Sequence, residues 1–356
     1  MRIGIVGTGN IGSTLARLWV AAGHEVVLSY ARDPARLRDL AQSLGPSASA
    51  GTPAEAAGAG DVVVLSVPWP QLDAALAAVG GLDARVLVDT CNPLASPGGP
   101  LDLPAGGMSA ALEVARRAPT AQVVKAFNTL YFVTLGERAG LRAAGGVPLA
   151  MPVSGDDSDA KELVSTLVRD AGYEPVDIGG LGGAARQEPG GPVYGDELTA
   201  AEVRDRLRDL EAANLALGRR FVGEVLGAQD QAAFIELVDP DIVVNSGISP
   251  LTPMVGRDAF AAGLGSLAAF TFVEFTLEDL LAVEDRVIAR YRASADHTGD
   301  QLGVPATGKR ITMWETRLMR WRAGRLVEDF VADINYDWPW LVAPAYPDGI
   351  GRTGRG

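Results

Sequence analysis

The feature that constrains this chain most is a glycine pattern within its first dozen residues. Residues 2–6 form a short β-branched strand, and Gly7-Thr8-Gly9-Asn10-Ile11-Gly12 follows it directly. The next stretch reads as a helix, because Leu15, Leu18 and Trp19 recur at the spacing of one apolar face. In that setting Gly7 permits a tight turn, Gly9 lets backbone approach a pyrophosphate, and Gly12 brings helix against strand. The helix amino end then faces the phosphates. A bare pattern of this kind also occurs in ordinary Gly-rich strand–helix turns. Its place at the start of a βαβ unit predicts a dinucleotide site built from Gly7, Thr8, Gly9, Asn10, Ile11 and Gly12.

Which nicotinamide nucleotide is favoured depends on the end of the second strand, where an acidic side chain would bind the adenosine ribose of NAD. That strand, His24-Glu-Val-Val-Leu28, ends instead in Ser29-Tyr30-Ala31-Arg32. Ser29 can donate a hydrogen bond and Arg32 can pair bidentately with a 2′-phosphate, so NADP(H) is expected. The alternative is that Arg32 sits in a solvated loop before Asp33-Pro34.

Short β-branched runs at 2–6, 25–29, 61–67, 86–89, 121–126 and 147–153 alternate with Ala/Leu-rich segments, which predicts a doubly wound, mostly parallel α/β sheet. Three further strands end at the edge where such sheets bind ligands. They offer Ser66-Val67-Pro68-Trp69, Asp89-Thr90-Cys91-Asn92-Pro93 and Lys125-Ala126-Phe127-Asn128-Thr129. Val67, Pro68, Trp69, Asn92, Phe127 and Asn128 are therefore candidates to orient or flank the nicotinamide. Loop capping by the asparagines and core packing by Trp69 and Phe127 are the competing readings.

At 356 residues the chain is long enough for two domains. No apolar run approaches the roughly 18 residues of a membrane span, and the opening strand leaves no room for a signal peptide, so a cytoplasmic protein is expected. A net charge of −13 argues against nucleic-acid and anionic-membrane partners. One cysteine, Cys91, and two histidines, His24 and His297, cannot build a His/Cys zinc site. Catalysis then falls to the cofactor, carboxylates or hydroxyls acting on a small-molecule substrate.

Beyond the Gly-rich stretch 179–196 the pattern changes. Helical periodicity runs from about Thr199 to Leu226, and long alternating strands follow at 283–296, 309–322 and 324–336. Helices followed by hairpin-linked strands indicate an α+β domain with an antiparallel sheet. The expected organisation is a Rossmann domain at 1–190, a linker at 191–204, an α+β domain at 205–345 and a flexible tail at 346–356. Four of the six tryptophans, Trp314, Trp321, Trp338 and Trp340, fall in the last stretch. They suggest either stacking on a planar ligand or a core contact. Glu315 and Asp329 read as solvated strand-face charges.

Residues 1–190 resemble the NADP-dependent reductases of the deazaflavin coenzyme, together with related bacterial dinucleotide-binding proteins and the cytosolic domains of membrane metalloreductases. The resemblance rests on Gly7–Gly12, Ser29 with Arg32, Val67-Pro68-Trp69, Asn92-Pro93, residues 123–129 (Val-Val-Lys-Ala-Phe-Asn-Thr) and Ser154-Gly155-Asp156-Asp157. It implies hydride exchange between NADPH and a second molecule, which in this family is a deazaflavin, a flavin or a substrate.

Residues from about 200 to 345 resemble the SnoaL-like polyketide cyclases, whose cone-shaped α+β fold is shared with nuclear transport factor 2. The matching pieces are residues 297–309 (His-Thr-Gly-Asp-Gln-Leu-Gly-Val-Pro-Ala-Thr-Gly-Lys), residues 320–330, residues 239–245 and Gly256-Arg-Asp-Ala-Phe260. The resemblance implies a pocket carboxylic acid whose pKa is raised by desolvation, with Asp333 the first candidate and Asn245 and His297 lining the pocket. The family spacing, six residues beyond Glu328, falls on Ile334, so Asp333 fits only if a bulge shifts the strand. A hairpin-capping role is the alternative for His297. Joined, the halves suggest a bifunctional NADPH-dependent oxidoreductase with a cyclase, dehydratase or hydrolase step on one biosynthetic intermediate. Other readings are a reductase with a C-terminal binding or homodimerisation module, and an NADP sensor without turnover.

Overall fold

The computed structural model describes residues 1–30, 33–96, 98–103, 109–141, 143–246, 253–300 and 304–336, with the side chains of Ser266 and of 332–336 left aside. The chain divides between Arg208 and Asp209 into two compact units.

The first unit is built on β1 (Arg2–Val6), β2 (Glu25–Ser29), β3 (Ala48–Ala50), β4 (Val62–Leu65), β5 (Val86–Asp89), β6 (Gln122–Lys125), β7 (Ala150–Gly155) and β8 (Glu174–Asp177). They form one sheet in the order β3-β2-β1-β4-β5-β6-β7-β8. The order reverses beside β1, which opens a crevice at the carboxyl edge there. All pairings are parallel except β6 with β7. Helices α1 (Asn10–Ala21), α2 (Pro34–Leu44), α3 (Pro53–Ala59), α4 (Leu72–Val79), α5 (Ala110–Arg117), α6 (Phe132–Glu137) and α7 (Ser158–Asp170) flank it. Two apolar clusters result: Leu15, Trp19 and Val164 pack with Ile3 and Ile5, while Leu72, Ala75 and Val114 pack with Val63 and Leu65. Neighbours along β1 and β4 thus go to opposite faces, the pattern of a sheet covered on both sides.

The segment expected to be a linker packs instead on the first unit. Val193, Leu198 and Val203 are buried with Ala150, Val176 and Ile178, because the Gly-rich chain ahead of them folds into a 3-10 turn at Leu181–Gln187.

The second unit takes up the latter part of α8 (Ala200–Arg220), a π-helical turn at Phe221–Gly227, α9 (Gln231–Leu237) and α10 (Arg257–Gly265). Its strands are β9 (Val238–Ser246), β10 (Met254–Val255), β11 (Phe270–Val283), β12 (Arg286–His297), β13 (Arg310–Arg322) and β14 (Arg325–Tyr336). Their order is β10-β9-β14-β13-β12-β11, antiparallel except where β14 meets β9. One sheet face packs Val287, Ala289, Tyr291, Met319 and Trp321 with Phe221, Phe234 and Phe260 of the helical layer. This is the α+β architecture expected, and Trp321 takes the core reading.

Candidate active site

The mouth of the glycine turn opens on a cleft of about 500 Å³ lined from three strand ends, by Gly7–Asn10, by Tyr30 and by Ser66–Pro68. Backbone geometry explains why glycine stands at two of these positions. Gly7 has φ 106°, and a Cβ there would lie 2.1 Å from the carbonyl oxygen of Ser66. A Cβ on Gly12 would lie 2.0 Å from that of Gly7. Gly9 differs: a Cβ there would meet no protein atom within 4 Å, only the cleft. Gly9 is also the residue preceding α1, which has no side-chain cap and no acid in its first turn. The N–H groups and positive end of α1 are left for an anion, so the residues present fit a dinucleotide phosphate. Thr8 and Asn10 line the cleft, while Ile11 packs against the core.

At the adenosine end, Tyr30 lines the cleft with φ 58°, a left-handed conformation costly for a bulky residue. Arg32 lies outside the described residues. Ser29 is corrected: its hydroxyl is buried and donates to the Ile5 carbonyl at 2.9 Å, tying β2 to β1. Sequence reasoning missed Arg36, which lines the cleft from the first turn of α2. Asp33, which also lines the cleft, accepts from the Ala35 N–H at 2.8 Å as the cap of that helix.

Val67 and Pro68 line the cleft, but Trp69 is in the core with its indole N–H on the Asp102 carbonyl at 2.7 Å. Phe127 is likewise corrected to core. It is fully buried edge-on against Trp19, with ring centroids 5.5 Å apart. A φ of 60° at Phe127 accompanies this inward turn of the loop.

Asn92 and Asn128 hold each other. Asn92 Nδ2 donates to the Asn128 carbonyl at 3.0 Å and to the Tyr194 hydroxyl at 3.3 Å, and Asn128 Nδ2 donates to Asn92 Oδ1 at 3.0 Å. Beneath them Lys125 is wholly buried, 2.8 Å from Asp89 and 3.7 Å from Glu188, and also donates to the Cys91 carbonyl. Burial works against its charge, yet the two carboxylates outweigh it and hold the ammonium above its usual range. Glu188 also caps α5, accepting from Ala110 and Ala111 N–H at 2.8 and 3.0 Å. A lysine closing a strand directly after Val123 and Val124 was the visible signal for this network.

In the second unit the residues singled out from the sequence take separate positions. Asn245 is half-buried between buried Val244 and Ser246, so the two-residue period turns it to the face opposite Ile242 and Val244, which are core. His297 is buried, and its Nδ1 faces the Thr307 hydroxyl at 3.1 Å, the hairpin role weighed as its alternative. The side chain of Asp333 lies outside the described residues. The backbone has the bulge, since Val331 pairs with Arg317 and Asp333 with Thr316, leaving Ala332 unpaired. Trp338, Trp340 and the tail also lie outside the described residues.

Glu315 and Asp329, expected at a solvated face, are buried with Arg317 between them. Arg317 donates to Glu315 and to Asp329, and Tyr291 donates to Glu315. Burial pushes the Asp329 carboxyl up to about 6 against the opposing pull of Arg317. Among the described residues its Oδ1 accepts no hydrogen bond. Glu315 and Arg317 are two apart on one strand and so share its inner face, which the sequence displays once the strand is known.

A doubly wound sheet with an anion-ready glycine turn defines the first unit as a Rossmann dinucleotide-binding domain, and the second is an α+β sheet-and-helix domain. Residues 2–93 match the family described as NADP oxidoreductase, coenzyme F420-dependent, and residues 216–332 match the SnoaL-like polyketide cyclases. Residues 2–93 thus resemble the deazaflavin-coenzyme reductases, and residues 216–332 resemble the SnoaL-like cyclases. The chain is 29% identical over 189 residues to metalloreductase STEAP3 of Rattus norvegicus, 52% of this chain and 36% of that protein. It therefore spans about a third of that relative's length. A hypothetical protein, SMa0349 from Sinorhizobium meliloti, is 31% identical with a TM-score of 0.50, covering 56% of this chain and 95% of that one. A protein named for F420-dependent NADP reduction, from Arthrobacter sp. FB24, is 28% identical with a TM-score of 0.45, covering 61% and 95%. Among the described residues no helix is long and apolar enough to cross a membrane.

Proposed function

We propose that the protein is an NADPH-dependent oxidoreductase that reduces a small-molecule intermediate and carries out an acid–base step in its second domain. The observation that carries the first half is the uncapped amino end of α1 opening on the cleft through Gly9. A bound NADP(H) would supply hydride chemistry there. Gly7, Gly9 and the α1 N–H groups would hold its diphosphate, and Arg36, with Asp33 spent on a cap, would meet the 2′-phosphate. The second half draws on the Glu315–Arg317–Asp329 cluster, in which a carboxyl titrating near neutrality is kept in an apolar interior. A deazaflavin or flavin as acceptor is the competing form of the same reductase.

Calorimetry tests the nucleotide site. NADPH is expected to bind more tightly than NADH, and Arg36→Glu to weaken NADPH by roughly 10- to 100-fold with little change for NADH. Gly9→Ala should leave the melting temperature nearly unchanged, because a Cβ there meets no protein atom within 4 Å, yet weaken nucleotide binding by crowding the diphosphate. No heat from either nucleotide with wild-type protein would refute the reading.

A second reading, that the SnoaL-like domain is a homodimerisation module, draws on exposed apolar side chains. Leu318 (36% exposed) pairs across strands with Phe330 (45%), and Trp314 (37%) lies along the same face of β13. Sedimentation equilibrium of wild type and Phe330→Glu is expected to give a dimer and a monomer. A monomeric wild type removes this reading.

A further inference from the structure

The polar cluster at the ends of β5 and β6 contains one group that the nucleotide site does not use. Tyr194 is half-buried, and its hydroxyl meets Asn92 Nδ2 at 3.3 Å. An amide nitrogen can only donate, so the phenol oxygen is the acceptor and its own proton is uncommitted. Among the described residues the phenol donates to nothing. The orientation of Asn92 is fixed, because its Oδ1 accepts from Asn128, whose Nδ2 also donates to the Gln187 carbonyl at 2.7 Å. Among the described residues two amide oxygens of this network, Asn128 Oδ1 and Gln187 Oε1, are buried without a donor. Burial raises the phenol's pKa while the Lys125 charge opposes this, so the group keeps its proton at neutral pH.

Position gives this proton a use. Tyr30 and Arg36 mark the adenosine end of the cleft on the β2 side, so the nicotinamide end falls toward β4 and β5. Asn92 follows β5, two strands from the Gly7 turn, or roughly 10 Å at ordinary strand spacing. Resting on the reductase reading above, we propose that Tyr194 is a catalytic proton donor and that the substrate reduced is a ketone or aldehyde. The carbonyl carbon takes the hydride of NADPH, which leaves as NADP+. The π pair moves onto oxygen, which takes the Tyr194 proton, and the tyrosinate is reprotonated from water. Asn92 positions the phenol from behind.

The probe is isobutyramide, whose carbonyl accepts a hydrogen bond but is not reduced by NADPH, and the readout is NADPH fluorescence at equilibrium. Isobutyramide is expected to tighten NADPH binding to wild type. In Tyr194→Phe that enhancement should fall roughly tenfold, while NADPH alone binds within about twofold of wild type. Asn92→Leu should weaken the enhancement with the phenol still present. Equal enhancement in wild type and Tyr194→Phe, or none in wild type, overturns the proposal and leaves the reductase reading standing. Failure of wild type to bind NADPH fells both.

Discussion

Replacing Arg317 by methionine is expected to destabilise the second unit by about 3–5 kcal/mol, the usual result of stripping the partner from a buried ion pair. Glu315 and Asp329 would be left buried without their shared cation, with the Tyr291 hydroxyl still donating to Glu315. The size of the loss should depend on pH in a defined direction. The folded Asp329 binds its proton at about pH 6 and the unfolded side chain near 3.8. Folding therefore takes up a proton between those values, and this group's stabilising contribution is full below about 3.8 and lost as pH rises through 6. Without the guanidinium the carboxyl holds its proton to still higher pH, since Arg317 was the opposing influence. Urea titrations at pH 5 and pH 8 should show the variant's deficit larger at pH 8. An equal deficit at both would mean that the carboxyl does not titrate in this range.

Lys125→Met should act as strongly on the first unit, again by about 3–5 kcal/mol. The substitution keeps the aliphatic stem but leaves Asp89 and Glu188 without a cation and the Cys91 carbonyl without a donor. Glu188 caps α5 and Asp89 accepts from the Cys91 N–H at 2.8 Å. Mutual repulsion would therefore be felt both in the cap and in the loop after β5. Differential scanning calorimetry is expected to show a drop of roughly 10 °C in the transition of this unit. A loss below about 1 kcal/mol would mean that the carboxylates take up protons or water in place of the ammonium.

The parts legible in the sequence were those governed by neighbours along the chain. The glycine turn could be read because tight backbone contacts at Gly7 and Gly12 exclude every other residue. The hairpin strands of the second unit could be read because their side chains alternate over a dozen residues. The short β3 and β8 lacked the length to show a period, and two register breaks, between Phe272 and Glu274 and between Leu277 and Asp279, interrupt the alternation of β11. Side-chain direction after a strand was less legible. Ser29, Trp69 and Phe127 stand where ligand contacts occur, yet each turns inward, and a left-handed Phe127 is not visible in one-letter code. The ion clusters were misjudged for a related reason. Asp329 looks solvated beside Glu328, and only the cross-strand arrangement of β13 and β14 brings Arg317 to it. The proton-bearing Tyr194 lay in a stretch whose glycines suggested slack chain, whereas buried Arg186, Gln187 and Glu188 anchor it.

The place of β14 in the second sheet has a consequence for how that unit assembles. Although it is the last strand in chain order among the described residues, it lies in the middle, with β9 on one side and β13 on the other. Until it is in place, the β9–β10 ribbon has no bond to the three-stranded meander of β11, β12 and β13. Two strands are marginal alone in water, so half of the helical layer's platform waits for the final insertion. Folding of this unit should therefore be a late, long-range event, slower than its hairpins suggest, and a chain shortened ahead of Arg325 would yield two fragments of sheet instead of a smaller domain.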